Sequence, residues 1–162
     1  MKSNFPAAFG IGLVVIAVAV GGVLYMQRGS KVDLPGKILK VRTAPLDENS
    51  SVVVIDFRTA NPSDYVLQAR GVTVELEDPA GRSYLGSSIG EVDAQRLFEG
   101  VPVLGTKFNP TLLLRDRIAA HSSVDRMIAA RFQAPVSLLD GRKRFIVRVE
   151  EIDGKTFEYS ER

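Results

Sequence analysis

The feature that most constrains this chain is an uncharged stretch of twenty residues near its amino terminus. Residues 7–26 read AAFGIGLVVIAVAVGGVLYM, without a charged side chain. At about 1.5 Å rise per residue, a helix of this length spans about 30 Å, the thickness of the hydrocarbon core of a bilayer. A helix in the core of a soluble protein normally keeps a polar face, and this stretch has none. The sequence therefore predicts a transmembrane helix over residues 7–26, preceded by a short tail over residues 1–6.

A cleaved signal peptide is the competing interpretation of the same stretch. Lys2 precedes the apolar run, and Ala17-Val18-Ala19 has the small-x-small pattern of a cleavage site. The apolar run continues beyond that site to Met26, which favours an uncleaved signal anchor. Cleavage stays open as the alternative.

The basic residues around the anchor bear on the side of the membrane that the following domain occupies. Lys2 precedes the anchor, and five basic residues follow it: Arg28, Lys31, Lys37, Lys40 and Arg42. Taken literally, the positive-inside rule would keep the domain in the cytoplasm. The rule acts mainly through short loops, and long domains are translocated largely regardless of their charge. We expect a single-pass protein of the inner (cell) membrane with its carboxyl-terminal domain in the periplasm.

The composition excludes several kinds of functional site. The 162 residues include no cysteine and one histidine, His121, which excludes a disulfide framework, a thiolate zinc site, an iron–sulfur cluster and a multi-histidine metal site. The 21 basic and 19 acidic residues give a net charge of +2, too small an excess to indicate a basic face for nucleic acid. We expect no cofactor, no metal and no nucleic-acid partner.

Short apolar segments separated by turn-forming residues follow a polar linker over residues 27–35. Residues 51–59 (SVVVIDFRT) and 71–77 (GVTVELE) alternate in polarity, which predicts strands with one buried and one exposed face. About seven or eight such strands in residues 36–162 indicate a mainly β domain, an antiparallel β-sandwich of the immunoglobulin or fibronectin type. The strands are predicted over residues 37–42, 51–59, 71–77, 82–85, 111–118, 124–132, 144–150 and 156–159.

One short helix is predicted among these strands, over residues 91–99, and Gly100 ends it. Ser88 and Glu91 have the spacing of a capping box, in which each side chain bonds the backbone of the other residue. The basic run at residues 142–144 (RKR) is predicted to be a charged hairpin tip that prevents association through a strand edge.

Residues 52–82 resemble a known family. They read VVVIDFRTANPSDYVLQARGVTVELEDPAGR, in which Asn61-Pro62 closes an alternating strand, Val66-Leu67 forms an apolar step, and a second alternating strand ends in a turn from Asp78 to Gly81. This pattern is similar to the core of the late embryogenesis abundant proteins of the second group, here as a membrane-tethered, bacterial-type member. The resemblance implies an immunoglobulin-like β-sandwich and a role in stress tolerance or partner binding. It transfers no catalytic residue.

A serine hydrolase is one alternative function. Residues 86–90 (GSSIG) fit the G-x-S-x-G pattern, and the order Ser88, Asp116, His121 would match a catalytic triad. That pattern works at the edge of a parallel sheet alternating with helices, which this chain does not predict. Ser88 is therefore expected to be a helix cap, and His121 a solvated turn residue. Labelling by a fluorophosphonate that Ser88→Ala abolishes would favour the hydrolase.

The sequence as a whole predicts a membrane-anchored β-sandwich that acts as a binding or structural module, with no catalytic, cofactor-binding or metal residues. Residues 7–26 would contact the lipid bilayer. A strand edge or a loop cluster would engage a protein partner, because main-chain pairing needs no special side chain. A further alternative is a carrier that holds an apolar ligand between the sheets, which native mass spectrometry of the protein in mild detergent would detect.

Overall fold

The structure is a computed structural model that describes residues 14, 16–18, 20–22 and 35–161. The chain divides into two units, Met1–Lys31 and Val32–Arg162, and each is described by itself. Residues 1–6, most of the predicted transmembrane segment and most of the linker lie outside the described residues. Those described between positions 14 and 22 are helical and exposed. Among the described residues, no helix combines the length and the apolar character needed to cross a membrane.

Residues 35–161 form eight strands, two short helices and one 3₁₀ turn. The strands are β1 (Gly36–Pro45), β2 (Ser51–Asn61), β3 (Leu67–Glu77), β4 (Ser83–Ile89), β5 (Arg117–Ile118), β6 (Ser122–Phe132), β7 (Arg144–Glu151) and β8 (Thr156–Ser160). The helices are α1 (Glu91–Gly100) and α2 (Val136–Asp140), and the 3₁₀ turn is Pro102–Leu104. The strand order is β1-β2-β6-β4-β3-β7-β8, with the short β5 beside β3.

Strand β4 divides this order into two layers. Its residues from Ser87 onward pair with β6, and its residues up to Gly86 pair with β3. One layer therefore contains β1, β2 and β6, the other contains β3, β7 and β8, and β4 passes between them. A Cβ at Gly86 would lie 2.7 Å from the Phe132 ring, so only glycine permits this close passage. The prediction of a mainly β, antiparallel sandwich with a short helix is confirmed, and its immunoglobulin or fibronectin type stays a prediction.

The main core lies between the two layers. Aromatic rings fill its centre: the centroids of Phe132 and Phe145 lie 6.0 Å apart, and those of Phe57 and Tyr159 lie 5.6 Å apart. Aliphatic side chains from both layers surround them, because alternate residues of each strand point inward. The buried aliphatic residues of this core include Val53, Ile55, Leu67, Val74, Leu76, Ile128, Val147 and Val149.

Strand β2 is buried on both faces, so the prediction that one face is exposed is wrong. The face predicted to be buried, which carries Val53, Ile55 and Phe57, is buried. On the opposite face Val54 is 0% and Asp56 2% exposed. Helix α1 and the 3₁₀ turn cover this second face, where Ala94 and Leu104 pack against it. The polarity of β2 could not reveal the cover, which comes from a distant part of the chain.

The strand predicted over residues 111–118 is wrong for most of its length, since only Arg117–Ile118 is a strand. The N–H of Leu112 donates to Met127 of β6 at 2.8 Å, whereas the N–H of Arg115 donates to β3 at 2.7 Å. The segment therefore crosses from one layer to the other. Arg115 has a φ of 69°, a left-handed conformation that interrupts a strand.

The second helix, α2, was not predicted, and it changes the role of the basic run at residues 142–144. This run is not a hairpin tip, because it connects α2 to β7. Arg142 bonds Glu161 at 2.6 Å, and Lys143 and Arg144 both bond Glu77 at 2.6 Å. A helix of five residues is too short for hydrophobic periodicity to distinguish it from a strand or a loop.

Glu151, the last residue of β7, is a buried carboxyl group. It is 3% exposed, and its Oε2 has no hydrogen-bond partner among the described residues. Burial raises the pKa of this carboxyl above its ordinary value of 4.5, because loss of solvent disfavours the charged form. The folded state therefore holds this proton more tightly than the unfolded state.

We expect Glu151→Gln to raise the free energy of unfolding at neutral pH. The stability linked to the protonated carboxyl is complete below pH 4.5 and is lost as the pH rises through the higher folded pKa, whereas glutamine stays neutral throughout. Urea unfolding should therefore show a more stable variant at neutral pH and no such gain in stability below pH 4.5. Glu150→Gln, the same change at a half-buried neighbour, is the control. A less stable Glu151→Gln at neutral pH would contradict the expectation.

Candidate functional site

The three residues of the hydrolase alternative each bond to other groups. The Oγ of Ser88 donates to a backbone carbonyl of β3 at 2.9 Å. A carboxylate oxygen of Asp116 lies 3.4 Å from the guanidinium of Arg126. The Nε2 of His121 lies 2.8 Å from Asp64, at the surface. No hydrogen bond joins Ser88, Asp116 and His121 in the part of the chain that the structure describes.

The structural role predicted for Ser88 is wrong, and the one predicted for His121 is confirmed. Ser88 belongs to β4, the N-cap of α1 is Gly90, and no side chain caps this helix, so the predicted capping box is wrong. Glu91 instead bonds Lys107, which is the main cause of a lowered pKa of its carboxyl. His121 lies in a turn with a φ of 51° and is exposed, which confirms its prediction as a turn residue.

An apolar cleft of about 430 Å³ opens beside Ser88, between β4 and the segment that crosses the layers. Its wall includes Val72 and Ile128, one from each layer, and Leu113 and Leu114 form an exposed rim. No charged side chain of residues 35–161 lines it. An apolar ligand would fit this cleft, and the carrier alternative stays a prediction.

A second cleft, of about 460 Å³, lies between β1 and β8, the two ends of the strand order. We call it the β1–β8 seam; it is lined by residues 36–41, 160 and 161. The strands meet at one end of the seam, where a Cβ on Gly36 would overlap the ring of Tyr159. Within residues 35–161, the remainder of the seam is open.

The two strands that border the seam use their backbone groups on one side only. β1 pairs with β2 and β8 pairs with β7. Within residues 35–161 no backbone hydrogen bond joins β1 to β8. β1 therefore presents a row of unpaired N–H and C=O groups to the cleft along residues 36–41, whereas β8 reaches the cleft only at Ser160. Such a row is a template for pairing with another strand.

A β-bulge in β1 determines which side chains face the core. Ile38 is opposite Phe57 and Lys40 is opposite Asp56, so Leu39 is the extra residue. The bulge shifts the alternation, and both Ile38 and Val41 pack against the main core. Lys40 is placed on the opposite face. The sequence KILKVR does not alternate regularly for this reason.

A buried ion pair holds the outer face of β1 in place. The guanidinium of Arg42 bonds Asp56 at 2.7 Å, and their side chains are 9% and 3% exposed. Arg42 also donates to two backbone carbonyls of residues 104–106 and lies over the rings of Phe98 and Phe108. Asn109 donates to the second oxygen of Asp56 at 2.8 Å. These bonds fasten the segment after α1 to β1 and β2.

Sequence reasoning missed this ion pair. The sequence shows Arg42 only as one of the basic residues that follow the predicted anchor, and the alternation of residues 51–59 predicts Asp56 on an exposed face. One signal was available: Asp56 interrupts the apolar run SVVVIDF, and a charged residue inside a buried strand requires a partner. The identity of that partner could not be deduced from spacing.

The seam carries two lysines that form no ion pair among the described residues, although Lys37, after Arg58 as the main cause, contributes to the lowered pKa of the Asp125 carboxyl. In the described part of the chain, no carboxylate lies within 4.0 Å of the ammonium group of Lys37 or of Lys40. The ammonium of Lys40 lies 5.0 Å from the ring centroid of Phe108. Glu161, the one acidic residue among the described residues that line the seam, bonds Arg142. The free charge of the seam is therefore basic.

Comparison with known proteins shows distant structural likenesses only. No family model and no curated protein matches the chain. The chain is similar to an uncharacterized β-sandwich protein from Clostridium difficile 630, with 13% identity, 81% of this chain and 87% of that chain covered, and a TM-score of 0.41.

Two other solved structures are similar at a comparable distance. For the archaellum periplasmic stator protein complex FlaF and FlaG from Sulfolobus acidocaldarius, the identity is 14%, the coverage 83% of this chain and 95% of that chain, and the TM-score 0.36. For the Iho670 flagellar-like filament, the identity is 12%, the coverage 96% of this chain and 97% of that chain, and the TM-score 0.34. Likenesses this distant transfer no function. With no family model matching, the resemblance to the late embryogenesis abundant proteins stays a prediction.

Proposed function

We propose that this chain is a single-pass membrane protein whose β-sandwich binds a partner protein at the β1–β8 seam and catalyses no reaction. The observation that carries the proposal is the seam itself, in which the free edge of β1 presents unpaired backbone groups to a cleft of about 460 Å³. Extended segments bind such edges through main-chain hydrogen bonds, which give affinity without special side chains.

Protection against aggregation is the competing explanation of β1. Bulges and lysines on an edge strand both discourage pairing with other chains, and β1 has a bulge at Leu39 and two exposed lysines. Protection alone does not account for the cleft of about 460 Å³ along this edge. A segment paired with β1 would occupy that cleft, which supports the binding function.

The proposed setting is the periplasmic face of the inner membrane, with residues 7–26 as the anchor. Tethering confines the sandwich to the membrane surface and raises its effective concentration towards partners there. A role in stress tolerance, as the family resemblance implies, belongs to the same proposal. A cytoplasm-only reporter fused to the carboxyl terminus should be inactive, and strong activity would refute the periplasmic placement.

Photo-crosslinking in intact membranes tests the binding surface. A photoreactive residue replaces Leu39, the 39% exposed residue of the bulge, or Leu85, a 70% exposed residue of β4 outside the seam. We expect position 39 to give a discrete protein adduct, identified by mass spectrometry, that position 85 does not give. No adduct from position 39, or the same adducts from both positions, would reject the seam as the binding surface.

A further inference from the structure

We propose that the apolar cleft beside Ser88 is a second binding site, which takes one acyl chain of an anionic amphiphile and places its head group beside Arg115. The site is separate from the β1–β8 seam, and it gives the predicted carrier of an apolar ligand a location and a ligand class. Three observations carry it: a gap in the edge of β3, the apolar lining of that gap, and an unpaired arginine at its rim.

The cleft lies where the edge of β3 has no strand beside it. β4 pairs with β3 over residues 74–77, and β5 pairs with it on the same edge over residues 67–68. Within residues 35–161, the stretch around Val72 therefore has no strand on this edge, and its carbonyl accepts only the Oγ of Ser88. Val72 belongs to one layer and Ile128 to the other, and both line the cleft. The gap therefore opens into the space between the layers.

The lining of the cleft is suited to a chain of methylene groups. Leu112 and Ile128 belong to the main core and Val72 packs against it, so the inner wall is continuous with the core. Leu113 and Leu114 extend this apolar surface to the outside, where they are 42% and 70% exposed. The volume of about 430 Å³ lies within the range of about 300–1,000 Å³ that is usual for small-ligand sites. Methylene groups that enter the cleft leave water, which favours binding.

Arg115 provides a free positive charge at the rim. Two charged residues directly flank the segments that line the cleft, Glu91 and Arg115. Glu91 is paired with Lys107. Asp116, the residue after Arg115, is paired with Arg126 at 3.4 Å. In the part of the chain that the structure describes, no carboxylate lies within 4.0 Å of the guanidinium of Arg115. This charge complements a carboxylate or phosphate head group.

The backbone at Arg115 has a conformation that arginine rarely adopts. Its φ of 69° is left-handed, a region that favours glycine and asparagine. Two hydrogen bonds hold it there: the N–H of Asp116 donates to Leu113 at 3.1 Å, and the N–H of Arg115 donates to Ala69 at 2.7 Å. Such strained residues are concentrated at ligand sites. The charge of Arg115 explains an arginine at this position, whereas the backbone does not.

A protein segment is a poorer occupant of this cleft than an acyl chain. A bound strand needs a row of free backbone groups, and the gap in β3 is only a few residues long, with the carbonyl of Val72 already bonded to Ser88. An acyl chain has no hydrogen-bonding groups, so it loses none on entering an apolar cleft. An uncharged chain would fit the lining but leave Arg115 without a partner.

Photolabelling of the full chain in phosphatidylcholine nanodiscs tests the inference. A trace lipid carries a photoreactive group in one acyl chain and is either anionic phosphatidylglycerol or neutral phosphatidylcholine; a third arm uses photoreactive palmitate. Peptide mapping by mass spectrometry separates labels in the cleft from labels in the proposed anchor. We expect at least one anionic probe to label residues 111–114 about fivefold more than the neutral probe does, the effect of one basic residue near anionic lipid.

The three arms also distinguish the sources of the acyl chain. Label from phosphatidylglycerol would support the inference with a membrane lipid as the ligand, and label from palmitate alone would support it with a free fatty acid. Equal labelling of residues 111–114 by anionic and neutral probes would overturn the inference. Labelling confined to residues 7–26 would overturn it as well.

Substitutions at the rim test the lining and the charge separately. Leu114→Asp should remove the label from the cleft, whereas Leu85→Asp, at an equally exposed position of β4 outside the cleft, should retain it. Arg115→Asn removes the charge with a residue that tolerates the left-handed backbone, so the fold should persist and the anionic preference should disappear. Arg115→Lys should retain the preference. An anionic preference that Arg115→Asn leaves unchanged would overturn the inference.

A photoreactive residue at position 114 distinguishes a lipid from a protein occupant. We expect adducts with lipid, and a discrete protein adduct would overturn the inference in favour of a protein partner at this surface. The crosslink expected at position 39 tests the seam by itself. Failure of the proposed function and failure of the lipid site are therefore distinguishable.

Discussion

Asp56→Ala should lower the free energy of unfolding by about 3–5 kcal/mol, the cost of removing one partner from a buried ion pair. The variant leaves the guanidinium of Arg42 buried without its carboxylate, and the amide of Asn109 loses its acceptor. The side chain of Arg42 is only 9% exposed, so water cannot replace the lost oxygen without local opening. Urea unfolding of the full chain in detergent measures the change.

The control for this prediction is the exposed ion pair on the same strand. Arg58 and Asp125 join β2 to β6 at 2.6 Å, but their side chains are 48% and 34% exposed. Asp125→Ala should therefore cost about 1 kcal/mol or less. A similar loss in the two variants would show that burial does not determine the contribution of Asp56.

The paired replacement Arg42→Met/Asp56→Leu separates the ion pair from its surroundings. Removing both charges avoids the unpaired buried guanidinium, so we expect this variant to be more stable than Asp56→Ala. Recovery should be incomplete, because the carbonyls of residues 104–106 lose the donors that Arg42 supplies. A double variant less stable than Asp56→Ala would contradict the argument.

Phe132→Ala should lower the free energy of unfolding by about 3–5 kcal/mol, the usual cost of removing a buried phenylalanine ring. Phe132 is 1% exposed, and its ring packs against Phe145 and over the backbone of Gly86. The cavity would open where β4 passes from one layer to the other. Urea unfolding again measures the loss.

Two further variants test whether the packing of the Phe132 ring causes this loss of stability. Phe108→Ala removes the same ring at a site that is 63% exposed, and should cost about 1 kcal/mol, the range of an exposed cation–π contact. Gly86→Ala by itself should lower the free energy of unfolding, because the added Cβ would meet the Phe132 ring at 2.7 Å. In a Phe132→Ala background the same change should lower it less, since the effects of contacting residues are coupled. Equal costs in both backgrounds would contradict the packing.

The elements that local pattern predicts best are those whose pattern matches their final surroundings. Helix α1, predicted over residues 91–99, is Glu91–Gly100, and the strand predicted over residues 144–150 is Arg144–Glu151. In both cases neighbouring residues carry the information, through the glycine that ends the helix or through alternating polarity. The segment over residues 111–118 fails because successive residues pair with different layers. No local period describes a segment whose partners change along its length.

The sequence predicted what kind of binding site to expect but not where it lies in the fold. Main-chain pairing at a strand edge was expected from the absence of catalytic motifs, and the free edge of β1 is compatible with it. Which strands form the edges depends on the order of all the strands, and that order depends on long-range pairing. The apolar cleft beside Ser88 likewise arises from residues of both layers and of the crossing segment.

By itself, the sequence determined the mainly β class, the position of α1 and the exclusion of cysteine-based and multi-histidine sites, because these follow from composition and from contacts between near neighbours. Only the tertiary structure decided that β2 is covered on both faces, that β4 serves two layers and that a cleft lies along the free edge of β1. Each of these depends on which distant segments meet, as Arg42, Asp56 and Asn109 do around one carboxylate. Such meetings are selected by the packing of the whole core, which no local window of sequence contains.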